Sequence, residues 1–321
     1  MRRDLFGMIR FGIIGAGGIA HKFADAVSEV GGAVLSAVAS KSKLRAEEFA
    51  KEHGIPNRYG SYEELLRRDD IDAVYIATTM NYHFDNILEC LRHDKHVLCE
   101  KCMVMSARDA ETVIAEARRR KRFLMECMWV RFLPKVRRAK QWIDEGRIGR
   151  LKLAQGTLGF NAPFDPDSRL FSPALGGGAL FDLGVYLIEV LGYFADRELT
   201  GVSSSVIRAA TGVDETVNLN LAYGDYLVNA QCSIAAKLPE NGYVYGEDGY
   251  IEFECLHLGS KARLYGRDRE LVEEFDQGDG NGFVYQIEEA VRCIEAGRTE
   301  SATAPLGMTL ECARIFDACL G

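Results

Sequence analysis

The run Ile9-Arg-Phe-Gly-Ile-Ile-Gly-Ala-Gly-Gly-Ile-Ala20 constrains this chain more than any other. A short apolar strand passes into a glycine turn and then a helix with no spare residue between them. Gly15, Gly17 and Ala20 stand at G-x-G-x-x-A spacing. The first glycine allows the tight turn, the second lets a ligand approach the backbone, and Ala20 keeps the helix close to the strand. Gly18 and Ile19 open that helix, whose N–H groups and positive dipole end favour a phosphate. The pattern predicts a dinucleotide cradle. The alternative is a turn whose small residues serve packing alone.

The chain beyond Ala20 keeps alternating in the same way. Strand-like runs at Val34–Ala39, Ala73–Thr78, His96–Glu100 and Phe123–Cys127 are separated by helical patterns at Lys43–His53, Tyr62–Arg68, Tyr82–His93 and Ala107–Arg120. Short apolar strands between amphipathic helices predict a doubly wound parallel sheet, an α/β Rossmann domain. Ser61-Tyr-Glu-Glu64 and Ser106-Ala-Arg-Asp109 fit a helix-start pattern. Past Trp129 and a helix at Pro134–Glu145, longer alternating runs appear at Leu151–Phe160, Val202–Arg208, Glu215–Tyr223, Tyr226–Ile234, Tyr243–Glu247 and Tyr250–Glu254. Turns such as Tyr223-Gly-Asp-Tyr226 and Glu247-Asp-Gly249 favour hairpins. This half is expected to be an α+β domain with a large open, mainly antiparallel sheet. Helices at Gly184–Phe194, Phe283–Ala296 and Leu306–Leu320 would cover one face of it. The expected division is 8–129 for the dinucleotide-binding domain and 130–321 for a substrate-binding and oligomerisation domain.

Composition narrows the setting. A length of 321 residues suits about two domains. A net charge of −8 argues against nucleic acid or an anionic membrane as partner. The opening Met-Arg-Arg-Asp-Leu-Phe-Gly is too short and too acidic for a signal peptide. Nine scattered cysteines read as reduced thiols. The expectation is a cytoplasmic protein with no membrane segment.

In an open α/β sheet, ligands bind beyond the carboxyl ends of the strands. After the second strand the chain offers Ser40 and Lys41, with Lys43 behind, where a site for NAD would normally present a carboxylate. A hydroxyl and an ammonium suit a 2′-phosphate, so NADP(H) is preferred over NAD(H). The other reading is that the lysines begin a solvated helix. The segment Thr78–His83, with Asn81, lies at another strand end. His83 either approaches the cofactor or simply starts a helix. Glu100-Lys101 ends the next strand. Lys101 there could exchange a proton with a substrate oxygen while Glu100 positions it, or the two could form a surface ion pair. Gly176-Gly-Gly-Ala-Leu-Phe-Asp-Leu-Gly-Val-Tyr186 places Asp182 and Tyr186 one turn apart on one helix face. An acid and a phenol beside Lys101 would make a proton relay, the bland reading being a glycine loop feeding a packed helix. Cys99-Glu-Lys-Cys102 has C-x-x-C spacing, but in a strand, so a redox role is not expected. The histidines show no H-E-x-x-H motif and no paired spacing with these cysteines, so no metal site is expected.

Taken together, Gly15–Ala20, Thr78–His83, Glu100-Lys101 and Gly176–Tyr186 resemble, in order and along essentially the whole chain, the glucose–fructose oxidoreductase/inositol dehydrogenase/MocA family. Met128-Trp-Val-Arg-Phe-Leu-Pro134 and Tyr186 are similar to its trans-1,2-dihydrobenzene-1,2-diol dehydrogenase branch. The resemblance implies a catalytic Lys101 with Asp182 and Tyr186 as partners. It also implies Trp129 and Arg131 near the substrate, unless they form a packing cluster between domains. Phe160 and Phe164 suggest a ring-stacking pocket. Where the family usually reads Glu-Lys-Pro, this chain has Cys102 after the lysine. The implied activity is interconversion of a secondary alcohol and a ketone on a sugar, cyclitol or dihydrodiol. A non-catalytic dinucleotide sensor of the same fold is the alternative. The second-domain sheet could pair with a copy of itself, giving a homodimer.

Overall fold

The computed structural model describes residues 7–195 and 197–321. All but the last residue of the opening segment therefore lies outside the described residues. The chain forms two compact units.

The first unit comprises residues 7–104, 108–129 and 281–309. In order it runs β1 (Ile9–Ile14), α1 (Gly18–Glu29), β2 (Ala33–Ala39), α2 (Lys43–His53), β3 (Asn57–Tyr59), α3 (Tyr62–Leu66), β4 (Ala73–Ile76), α4 (His83–Arg92), β5 (His96–Glu100), α5 (Ala107–Arg120) and β6 (Leu124–Cys127). The six strands pair in parallel in the order β3-β2-β1-β4-β5-β6. This is the doubly wound order, and the chain reverses direction across the sheet between β1 and β4. Both faces of the sheet are covered, so every residue of β4 and the Val97–Glu100 run of β5 are buried. Ala20, Phe23, Ala24, Ala26 and Val27 form the buried stripe of α1. Ser42 caps α2 by accepting the N–H of Arg45, whereas Ser61 occupies the N-cap of α3 without a side-chain capping bond.

The second unit holds α6 (Pro134–Asp144), β7 (Leu151–Gly159), α7 (Val185–Tyr193), β8 (Gly201–Arg208), β9 (Asp214–Tyr223), β10 (Tyr226–Ser233), β11 (Gly242–Gly246), β12 (Gly249–Phe253), β13 (Lys261–Gly266) and β14 (Leu271–Asp276). Its eight strands run β14-β13-β12-β11-β7-β10-β9-β8, antiparallel except where β7 and β10 pair in parallel. Helix α7 lies on β7 so closely that a Cβ on Gly156 would stand 2.9 Å from Leu187 and from Leu191. The helical stretch Pro173–Tyr193 is long and apolar enough to cross a membrane, yet 78% of its most apolar window is buried in the fold, as in a core helix.

Two expectations are corrected. Helix α8 (Phe283–Glu295) does not cover the second sheet; it packs on α1 in the first unit. A Cβ on Gly32 would lie 3.2 Å from Val291, Asn281 donates to the Lys22 carbonyl at 2.8 Å, and Leu124 N–H donates to Thr299 at 3.0 Å. Residues 281–309 consequently return to the first unit, which a single cut at 129/130 does not provide for. The last helix, α9 (Leu306–Leu320), reaches the second unit, where Phe316 meets Phe181 edge to face at 5.0 Å. Strands β3, β13 and β14 also exist beyond those the sequence pattern shows.

Candidate active site

A cleft opens at the carboxyl ends of β1, β2 and β4, lined by Gly15, Ala16, Gly17, Ser40, Lys41, Ser42, Arg45, Tyr62, Ala77, Thr78, Thr79 and Tyr82. Gly15 has φ +98°, and a Cβ there would sit 2.7 Å from the Ala77 carbonyl oxygen, so packing alone demands glycine. Gly17 is different. Its φ is −103°, and a Cβ would meet nothing within 4 Å. No protein atom explains the missing side chain, whereas a pyrophosphate lying against the backbone does. Gly17 is also the N-cap of α1, with no side-chain capping bond and no acidic residue in the first turn, which leaves the helix dipole to an anion.

The rim after β2 carries positive charge. The Lys41 ammonium sits over the Tyr82 ring, 3.9 Å from its centroid, and Arg45 stands in the same wall. Among the described residues lining the cleft, none is acidic. Ser40 is buried; its hydroxyl accepts the Ser42 N–H at 3.2 Å. Sequence alone does not single out Arg45, because its place in the first turn of α2 reads as an ordinary exposed helix position. Gly15, Gly17, Ser40, Lys41 and Thr78 are thus gathered in one cleft, while Gly18, Ile19, Asn81, His83, Glu100 and Lys101 do not line it. Asn81 accepts from Thr79 Oγ1 at 2.7 Å, and Asn86 donates to Thr78 Oγ1 at 3.2 Å, fixing the loop after β4.

Glu100 is no surface partner. It is buried, accepts the Tyr75 hydroxyl at 2.5 Å, and burial pushes its carboxyl up to about 7 despite the Tyr75 hydrogen bond and the charge of Lys101. Tyr75 is itself fully buried and stacked on Phe23 at 3.7 Å. The peptide bond between Lys101 and Cys102 is cis. Three contacts hold the backbone after the lysine. His83 Nδ1 lies 2.8 Å from the Cys102 carbonyl oxygen, with its Nε2 3.0 Å from that of Thr78. The buried Glu126 accepts the Met103 N–H at 2.8 Å and the Thr309 hydroxyl at 2.7 Å. The Cys102 thiol donates to the Val104 carbonyl at 2.8 Å. His83 begins α4 and is buried, which lowers its pKa and favours a neutral ring whose single N–H donates to the Cys102 or the Thr78 carbonyl. Cys99 and Cys102 are both buried. Trp129 stacks on Phe283 with centroids 5.6 Å apart.

In the second unit, Asp182 lies in a π-helical turn, Leu180–Gly184, from which α7 continues with Tyr186 in its first turn. Such turns recur at functional sites because they shift the side chains of a helix relative to one another. Arg169 reaches Asp182 at 3.0 Å. The turn is anchored by Asp214, which accepts the Leu180 N–H at 2.6 Å. A Cβ on Gly178 (φ +132°) would fall 2.1 Å from its carboxylate. Burial pushes Asp214 up to about 6. Tyr186 faces the His257 ring with centroids 5.5 Å apart. Arg131, 2% exposed, is held by Glu189 at 2.9 Å and lies over the Tyr193 ring. Phe160 is partly exposed just past β7, and Phe164 packs edge-on against Phe171.

A glycine-cradled α/β unit joined to an α+β unit is the build of a nicotinamide-dependent oxidoreductase. A family model described as "Oxidoreductase family, NAD-binding Rossmann fold" matches residues 9–127, and the GFO/IDH/MocA C-terminal domain matches 136–252. The chain belongs to this GFO/IDH/MocA family of oxidoreductases. It is 33% identical over 318 residues to trans-1,2-dihydrobenzene-1,2-diol dehydrogenase of Mus musculus, covering 96% of this chain and 95% of that protein. It is 34% identical to the Danio rerio enzyme of that name, covering 92% and 90%. A 3-ketoreductase from Actinomadura kijaniata, solved with NADP and TDP-benzene, superposes with a TM-score of 0.86 at 27% identity, covering 97% of each chain. These relatives are named as dehydrogenases and a reductase, which favours an enzyme over a sensor.

Proposed function

We propose that the chain is an NADP(H)-dependent oxidoreductase that interconverts a secondary alcohol and a ketone on a sugar, cyclitol or dihydrodiol. The observation that carries the reading is a lysine at the carboxyl end of β5 whose flanking residues are held in place. Glu100 is fixed by Tyr75, Cys102 by His83 and Met103 by Glu126. So many contacts around one lysine suit a group that must meet a substrate oxygen accurately. A nicotinamide cofactor held at the Gly15 and Gly17 cradle would supply hydride exchange at the carbinol carbon. The chain's part is to accept the hydroxyl proton as the ketone forms, through Lys101 and Tyr186, with Asp182 as their partner. Trp129, Arg131 and Phe160 are proposed to shape the substrate side, Arg131 through its buried pair with Glu189.

Preference for NADP(H) is supported by Lys41 and Arg45 on the cleft wall, and by the relative solved with NADP. The named diol dehydrogenases and ketoreductase support a small polyol, sugar or diol as substrate. Nine cysteines scattered along the chain are in keeping with a reducing, cytoplasmic setting, which cell fractionation would check. The second-unit sheet carries partly exposed Tyr245, Tyr250 and Tyr265 with the exposed Leu227. That apolar face favours a homodimer, and a monomer by sedimentation at micromolar concentration would remove this part of the proposal.

The test of the activity monitors reduced-cofactor absorbance against a panel of polyols, sugars and diols. Once a substrate is found, Lys101→Met should bind cofactor normally while turnover falls roughly 10²–10⁴-fold. Tyr186→Phe locates the proton: a larger loss than in Lys101→Met assigns the transfer to the phenol. Full turnover in both variants would end the relay.

A further inference from the structure

Four side chains of metal-binding type converge on one spot between α1 and α2, on residues that do not line the cofactor cleft. His21 lies in the first turn of α1 with Asp25 one turn further on, and Glu52 and His53 end α2. His21 Nδ1 is 2.8 Å from His53 Nε2 and 3.3 Å from Glu52 Oε1, and that same oxygen is 3.9 Å from His53 Nε2. Zinc holds nitrogen and oxygen ligands at about 2.0–2.2 Å, which puts tetrahedral neighbours roughly 3.3 Å apart. The three separations bracket that value.

The surroundings are those of a ligand set. The second nitrogen of His53, Nδ1, stands 3.5 Å from Asp25 Oδ1. A carboxylate there favours the tautomer protonated on Nδ1, which leaves the Nε2 lone pair turned toward His21 and Glu52. Phe49 packs against both imidazoles, its centroid 4.6 Å from each, and limits how far either ring rotates. The His53 side chain is 9% exposed, that of His21 37% and that of Glu52 62%, so the His53 ring backs the site while His21 and the carboxylate face solvent. Two imidazoles and one carboxylate suit a borderline ion such as zinc, cobalt or nickel better than magnesium or calcium.

We propose that His21, Glu52 and His53 bind a divalent transition-metal ion of the zinc class, with Asp25 orienting His53 from behind. The ion ties α2 to the first turn of α1, the helix whose N-terminus forms part of the phosphate cradle. Three protein ligands leave a further coordination position for water.

The test uses the full chain, freed of any histidine tag and stripped with chelator. Zinc is titrated by calorimetry and cobalt by visible absorption. One saturable equivalent is expected per chain, with cobalt d–d bands and no thiolate charge-transfer band. His21→Gln and His53→Gln should each weaken zinc binding at least tenfold, and Glu52→Gln by less, with circular dichroism unchanged. A simple ring-to-ring hydrogen bond would give no saturable binding, which overturns the proposal. Equal binding in both histidine variants also overturns it. So does a thiolate-to-cobalt band, which would put the ion at Glu240, Cys255 and His257 in the second unit.

Discussion

Glu100→Gln should alter how the stability of the first unit depends on pH. The Glu100 carboxyl is pushed from an ordinary 4.5 up to about 7, chiefly by burial, with Tyr75 and Lys101 pulling the other way. The folded protein therefore keeps a proton that the unfolded chain releases above pH 4.5. For a raised carboxyl, the stabilising contribution is fully present below the unfolded value and is lost as pH climbs through the folded value. A gap of about 2.5 units at 1.36 kcal/mol each costs about 3 kcal/mol between pH 4.5 and 7, and the profile flattens above that. Glutamine is nearly isosteric, never ionises, and keeps an oxygen for the Tyr75 hydroxyl. Urea unfolding of wild type and variant side by side, from pH 5 to 8, cancels every other titrating group. The variant should gain on wild type by roughly 2–3 kcal/mol over that interval. Parallel profiles would mean that Glu100 is ionised throughout and that Lys101 neutralises it completely, and the reasoning would fail. The same electrostatics gives a further sign: Lys101→Met removes a stabilising cation, so the Glu100 carboxyl should move further up.

Lys41→Ala and Arg45→Ala should each weaken NADPH binding about tenfold or more, the worth of one charge-assisted contact, while leaving NADH nearly unchanged. Fluorescence titration showing NADH bound as tightly as NADPH by the wild type would refute the 2′-phosphate assignment. Glu189→Ala strands the Arg131 guanidinium, 2% exposed, without its carboxylate, and should cost about 3–5 kcal/mol of stability. A thermal shift of less than a degree would show that the pair is not holding the second unit together.

What the sequence made legible was what neighbouring residues decide among themselves. The β1 turn, the α2 boundaries and the β9–β10 hairpin each carry their signals within a dozen residues, and each forms where those signals place it. Elements defined by their partners were hidden. Strand β3 is Asn57-Arg-Tyr59, with no apolar alternation, and exists because β2 offers it an edge. Strand β14 is an outer strand with mostly exposed residues, joined to β13 by Arg263 and Lys261 on Glu274. Helix α8 shows a different limit. Its apolar stripe announces that it buries a face, but the stripe fits α1 as well as it would fit a sheet.

The same limit applies to the site. Glycine spacing pointed to the cradle, yet the reason for each glycine emerges only from what surrounds it: Ala77 for Gly15 and open space for Gly17. Cys102 makes the point most sharply. In its family a proline commonly stiffens the peptide after the lysine from within. Here the restraint comes from elsewhere in the chain, with His83 on the Cys102 carbonyl, Glu126 on the Met103 N–H and the cysteine thiol on Val104. His83 lies 19 residues before Cys102, and Glu126 lies 23 after Met103. A local pattern registers only the lost proline. The folded chain supplies an external brace in its place, so the departure from the motif leaves the lysine on a held loop.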